Sequence, residues 1–230
     1  SIFARSFGKQ TMWVFKFWLT KYPKKIVFKI HWLTFYLAYL IFFLWYTNLS
    51  GPLSDSEISN QIIRIQENPN YLEDEKENLI KFIKKDDGGD FYMVNFIDFN
   101  ENPPTLEATG ENAPASVLID YYMEYMYPEL FKRASHPVFY GEVSANALDN
   151  IGAEENKEWD VVGIVRYRSI RDLLEISGNE TFRDRHIYKI GAMSKTIAIP
   201  ISSPFLIDLR VFIFMLLLII TLITDRIRKR

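Results

Sequence analysis

The chain of 230 residues is 48% apolar, holds no cysteine and carries a net charge of −2. Its length allows one or two domains, and the missing cysteines exclude disulfides, thiol nucleophiles and Cys-ligated metal centres. The charge is laid out in blocks: seven Lys/Arg and no acid over 1–54, a net −12 over 48–204, and four bases against one acid over 225–230. So long an acidic stretch argues against nucleic acid as a partner.

Residues 1–25 read as a cytoplasmic leader. Within it, TMWVFKFWLTKY (11–22) sets Trp13, Phe15, Phe17 and Trp18 beside Lys16 and Lys21, the composition of an amphipathic helix lying in a headgroup region. Pro23 then breaks the helix. The run IHWLTFYLAYLIFFLWY (30–46) has no acid, Lys or Arg. With 26–29 added it reaches about the 20 residues a bilayer core requires, and Lys29 can reach the interface. Residues 26–47 are therefore predicted to be a first transmembrane helix. No small-x-small cleavage pattern follows it, so a retained anchor fits better than a signal peptide.

Residues 48–89 form a helical insert. Ser54 and Glu57 have the spacing of a capping box, and Ile58, Ile62 and Ile65 recur at helical intervals. A second helix runs from about Leu72 to the turn at Asp86-Asp87-Gly88-Gly89. Residues 90–201 then alternate strand and helix. DFYMVNFIDF (90–99) is a strand, and 114–133 is a helix that Pro128 should kink or restart. Residues 137–143 and 159–167 are strands, followed by helices over 169–177 and from about 180 to 190. Residues 195–201 are the last strand, where Pro200 suggests an edge. The order β-α-β-β-α-β is the split, ferredoxin-like arrangement. Residues 205–224, with the uncharged run VFIFMLLLIITLIT, are predicted to be a second transmembrane helix before a basic tail, 225–230. The fold class expected is α+β: a ferredoxin-like βαββαβ domain between two transmembrane α-helices. The positive-inside bias would put both termini in the cytoplasm and the central domain outside, in the periplasm if the source is bacterial.

The segments DDGGDFYMVNFIDF, YYMEYMYPEL, HPVFYGEV, WDVVGIVRYRSIRDLLEI and FRDRHIYKIGAMSKTIAIPI resemble the dimeric α/β-barrel superfamily, closest to its uncharacterised, EthD-like bacterial members. The resemblance covers roughly 78–201. It implies a ferredoxin-like fold and a homodimer, but no single reaction, because the superfamily includes cofactor-free monooxygenases, isomerases and haem-binding proteins. The two membrane helices and the insert at 54–85 depart from its pattern.

Among residues able to carry chemistry, there is no metal-ligand cluster, phosphate loop or nucleophile elbow. His186 is the candidate haem ligand or proton shuttle, placed as in haem-binding relatives, although Arg183, Asp184 and Arg185 around it read as a solvated face. Asn95, Tyr92 and Arg166 are further catalytic candidates. With Tyr122, Tyr125, Tyr140 and Glu142 they could line a pocket between sheet and helices. Arg166 is expected to pair with Glu142 or Asp98, and Asn95 to satisfy nearby backbone. His136 reads as a loop or capping residue at a strand start. Trp13, Trp18, Lys29, Asp208 and Arg210 are read as membrane-interface residues.

Two functions compete on this reading. One is a membrane-anchored accessory subunit or scaffold, with no cofactor, that meets lipid and assembles with itself or with a larger membrane complex. The other is an enzyme of monooxygenase or isomerase type, or a haem-binding domain, using a pocket under the sheet. The open sheet face, with Val162, Ile164 and Arg166 on one side of the third strand and Val161, Gly163, Val165 and Tyr167 on the other, needs a cover. A second subunit or the 54–85 insert is expected to supply it.

Overall fold

A computed structural model describes residues 24–69, 71–149, 151, 158–202 and 208–229. In chain order these form α1 (Lys24–Tyr46), α2 (Asp55–Glu67), α3 (Glu73–Ile83), β1 (Phe91–Phe99), α4 (Ala115–Lys132), β2 (His136–Glu142), β3 (Val161–Tyr167), α5 (Ile170–Ser177), α6 (Glu180–Gly191), β4 (Met193–Ile201) and α7 (Leu209–Lys229). The chain divides into two compact units, one of Ser1–Leu44 with Leu206–Arg230 and the other of Trp45–Phe205.

In the first unit, α1 and α7 pack antiparallel. The Tyr39 ring meets Phe214 edge-on at 5.2 Å, and one end is fixed by Trp32 Nε1 donating to Asp225 Oδ2 at 2.9 Å. Thr221 is buried in the seam and donates to the Leu217 carbonyl. Asp208 opens α7: its carbonyl accepts from the Val211 and Phe212 amides, and its carboxylate holds the Arg210 guanidinium. The outward residues of both helices are apolar, Leu33 being 66% exposed and Val211 59%.

Even so, no helix among the described residues is long and apolar enough to cross a membrane. The spans predicted over 26–47 and 205–224 are thus not borne out. The reason lies in length and polarity. In α7 the uncharged run 211–224 lies between Arg210 and Asp225 and spans about 21 Å at 1.5 Å per residue, against a hydrocarbon core of about 30 Å. In α1 the run after Lys29 contains His31, Trp32, Thr34, Tyr36, Tyr39, Trp45 and Tyr46, all less apolar than the aliphatic residues between them. The placement of 48–204 outside, with both ends inside, depended on two crossings and loses that support. Trp13, Trp18 and the interfacial helix predicted over 11–22 lie outside the described residues, as does the side chain of Lys29.

The second unit is an α+β fold. Its sheet is antiparallel with strand order β2-β3-β1-β4, the order that the split β-α-β arrangement produces. Local sequence sets the elements. Ser54 and Glu57 form the reciprocal capping box of α2. Ser169 caps α5 by accepting from the Asp172 amide, and Asn179 caps α6 by accepting from that of Thr181. Along α4, Leu118, Tyr122, Met126 and Leu130 recur every four residues, and all are buried against the sheet. Complete burial of an aliphatic side chain such as Leu118 stabilises the fold by about 2 kcal/mol. Pro128 neither ends nor restarts this helix; it forfeits one backbone bond in an element held by tertiary packing.

The insert packs on the same side as α4–α6. Leu53, Ile65 and Ile83 join the core that holds Phe91, Tyr167 and Ile170. Phe82 meets Phe91 edge-on, and Phe91 stacks on Tyr167 with ring centroids 5.3 Å apart. The insert therefore does not take the opposite sheet face. On that face Ile197, Ile199 and Ile201 of β4 remain exposed, in register with Phe96, Val94 and Tyr92 of β1.

Candidate functional site

Side chains alternate across the strands, so Met93, Asn95, Ile97 and Phe99 of β1 face the helices together with Gly163, Val165 and Tyr167 of β3. The register places Gly163 and Ala198 on either side of Asn95. Two of the smallest side chains therefore form the floor under α4. Larger residues farther out hold the helices off: Ile119, Met123 and Tyr127 from α4, Phe139 and Tyr140 from β2, and Phe182 from α6. The result is a cavity of about 350 Å³, at the lower end of ligand-site volumes.

The polar groups lining it are few. Asn95 donates through Nδ2 to the Met93 and Gly163 carbonyls, at 3.1 and 3.3 Å, which satisfies nearby backbone as expected. The Tyr122 and Tyr167 hydroxyls have no hydrogen-bond partner among the described residues. Burial raises both of their pKa values, Tyr167 to about 12, and each stays a neutral donor. Lys189 is the one charged residue among the described lining residues. No described acceptor bonds its ammonium, and burial lowers its pKa.

The other sequence candidates lie elsewhere. Arg166 points to the opposite face and is 2% exposed. Its Nε donates to Asp90 Oδ2 at 2.8 Å, Nη1 to the Ala134 carbonyl at 2.8 Å and Nη2 to the Tyr46 carbonyl at 3.2 Å, and its guanidinium lies 3.7 Å from the Tyr46 ring centroid. The expected partners, Glu142 and Asp98, are replaced by Asp90, and the residue is structural. Tyr92 is buried on that same opposite face, so it and Arg166 are not grouped with Asn95. Tyr125 donates to the Ile176 carbonyl. His136, read from sequence as a loop or capping residue, is the first residue of β2: Nδ1 lies 3.0 Å from the Pro137 carbonyl, and Nε2 lies 2.8 Å from the Tyr46 hydroxyl.

His186 departs from its predicted solvated face. It is half-buried, stacked on Phe182 at 4.9 Å and edge-on to Tyr122 at 6.3 Å. Burial, then the neighbouring Lys189 charge, lowers its pKa to about 4. It is not one of the cavity-lining residues, so axial ligation of a haem in this cavity has no geometric support. No group of His, Asp and Glu able to hold a metal ion occurs among the described residues.

Lys189 and Tyr167 were missed from sequence. The signal for Lys189 was its spacing: Phe182, His186 and Lys189 stand at i, i+4 and i+7 and share one helix face.

No known protein family matches the chain, and no curated protein matches it. Among solved structures, the crystal structure of RPA0582, a protein of unknown function from Rhodopseudomonas palustris, is similar at 20% identity. It covers 56% of this chain and 92% of its own, with a TM-score of 0.46. The methylated RPA0582 protein is similar at 17% identity, covering 56% and 93%, with a TM-score of 0.48. Likeness at this level assigns no activity.

Proposed function

We propose that the protein is a membrane-anchored accessory subunit whose α+β unit self-associates. The observation that carries the reading is the apolar sleeve of the α1–α7 pair. Leu33, Leu37, Leu40 and Ile41 on one helix, and Val211, Met215, Ile219 and Ile223 on the other, are exposed at helical spacing, an apolar stripe on each. An exposed apolar surface of this kind marks a membrane or protein contact. Anchoring does not require a crossing: a helix pair can lie in the interfacial region, or against the helices of a larger complex. Self-association would cover the outward isoleucines of β4, as the resemblance to dimeric α/β-barrel proteins implies. Alkaline carbonate extraction of membranes containing the full chain tests the anchor. The protein is expected to remain in the pellet with the integral fraction, and its quantitative release into the supernatant would overturn the reading.

The cavity favours a second reading, in which the α+β unit binds a small apolar molecule. Its support is a mostly apolar hollow whose lining includes a few polar residues. Haem has no support from the position of His186.

A further inference from the structure

We infer that the cavity receives an amphipathic monocarboxylate, its head group against Lys189 and its hydrocarbon chain along the methionine and aromatic walls. The inference rests on the small-molecule reading and names its ligand class.

Three observations lead to it. The first is charge. Among the described lining residues Lys189 is the single charged one and none is a carboxylate, and no described acceptor bonds its ammonium. A half-buried cation beside a mostly apolar hollow and without a partner is costly, so an anion entering the cavity supplies what the protein omits. One cation suits one negative charge, whereas a dianionic phosphate would bring a second charge with nothing opposite it.

The second is the supply of donors. Tyr122 and Tyr167 present hydroxyls that no described group accepts, and burial keeps both protonated. A carboxylate has lone pairs for the ammonium and for hydroxyls at once, and hydrogen bonds to ionised groups are the stronger kind. An alkane cannot use this set, and an alcohol accepts from it without placing a charge opposite the ammonium.

The third is the wall. Met93, Met123, Met126 and Met193 line the hollow with Phe99, Phe139 and Phe182. Methionine is unbranched and polarizable and adapts to a flexible chain. The small floor residues Gly163 and Ala198 leave the depth a chain needs.

The test uses the full chain in lipid nanodiscs, with empty nanodiscs as the blank, titrated calorimetrically with sodium octanoate and separately with 1-octanol. Octanoate is expected to bind at least tenfold more tightly. Lys189→Met should remove that preference while leaving 1-octanol binding unchanged, which also reports that the cavity has stayed intact. Lys189→Arg should retain much of the preference. Ala198→Phe, which fills the floor, should abolish binding of both probes. Equal binding of the two probes, unaffected by Lys189→Met, would overturn the carboxylate assignment and leave the small-molecule reading standing. Binding of neither probe to the unmodified protein would overturn both. Undiminished octanoate binding by Ala198→Phe would place the site elsewhere and overturn the inference.

Discussion

Arg166 keeps its charge inside the α+β unit because a guanidinium can address three acceptors at once, here Asp90 and the carbonyls of Ala134 and Tyr46. Arg166→Met is expected to destabilise the fold by about 3 kcal/mol in urea unfolding, since it removes a donor from all three inside the unit. Arg166→Lys should recover little, because a single ammonium does not span the fork. A loss below about 1 kcal/mol for the methionine variant would contradict the assigned role. His186 makes a pH-dependent contribution of known sign. In the unfolded chain its proton binds near the ordinary histidine value of about 6.5; in the fold, burial lowers that to about 4. Between the two the unfolded state holds more protons, so this contribution is complete above about pH 6.5 and is lost as pH falls toward 4. Thermal unfolding from pH 7 to 4 should show the melting temperature of the parent falling more steeply than that of His186→Phe, which keeps an aromatic ring against Phe182 and does not titrate. Parallel curves would refute the burial of this ring. The sequence disguised this burial because Arg183 and Asp184 mark an exposed face of α6, and one face of a helix says little about the other.

The turn before β1 shows how one backbone position can govern an element. Gly88 has a positive φ of 78°, and a β-carbon there would lie 2.6 Å from the backbone of Gly51 and Pro52. Asn48 joins the same two turns by donating to the Gly51 and Gly88 carbonyls. Gly110 has a nearly equal φ of 76° with open space around it. Gly110→Ala should cost only the left-handed strain, about 1 kcal/mol, whereas Gly88→Ala adds the clash and should cost about 3. Comparison of their urea midpoints separates strain from contact, and equal losses would mean the turns are not in contact. At this scale much was legible. Alternation fixed β1 and β3 to within two residues, and the caps Ser54 and Ser169 mark helix starts because they act on neighbouring amides. Partners distant in sequence were not legible: Asp90 and Arg166 are 76 positions apart, and only the strand register brings them together. The cavity was hidden for the same reason, since Gly163 and Ala198 make a floor only once both strands flank Asn95. Long apolar runs could be recognised as helices, but their adequacy as membrane spans depended on where Arg210 and Asp225 fell.

At the scale of the whole molecule, the α+β unit has two apolar sheet faces, and its own helices cover only one. Ile199, 45% exposed on the other face, is the position at which a charge should report on self-association. Ile199→Lys is expected to halve the particle mass found by light scattering, with the circular dichroism of the fold unchanged; an unmodified protein that is already monomeric would remove the proposal. The strand that carries Ile199 has a further consequence. β4 closes one end of the order β2-β3-β1-β4 and among the described residues pairs only with β1, so one row of its amides and carbonyls has no described strand beside it. A row of that kind is a template for any extended chain, and outward isoleucines make it adhesive. Pro200, near the end of the strand, supplies no amide there and interrupts the template over its last turn of pleat. Replacing Pro200 with valine would complete the row and should shorten the lag before thioflavin-positive fibrils form in partly denatured samples. On this view the residue protects the protein during synthesis, when β4 has been made and nothing yet covers it.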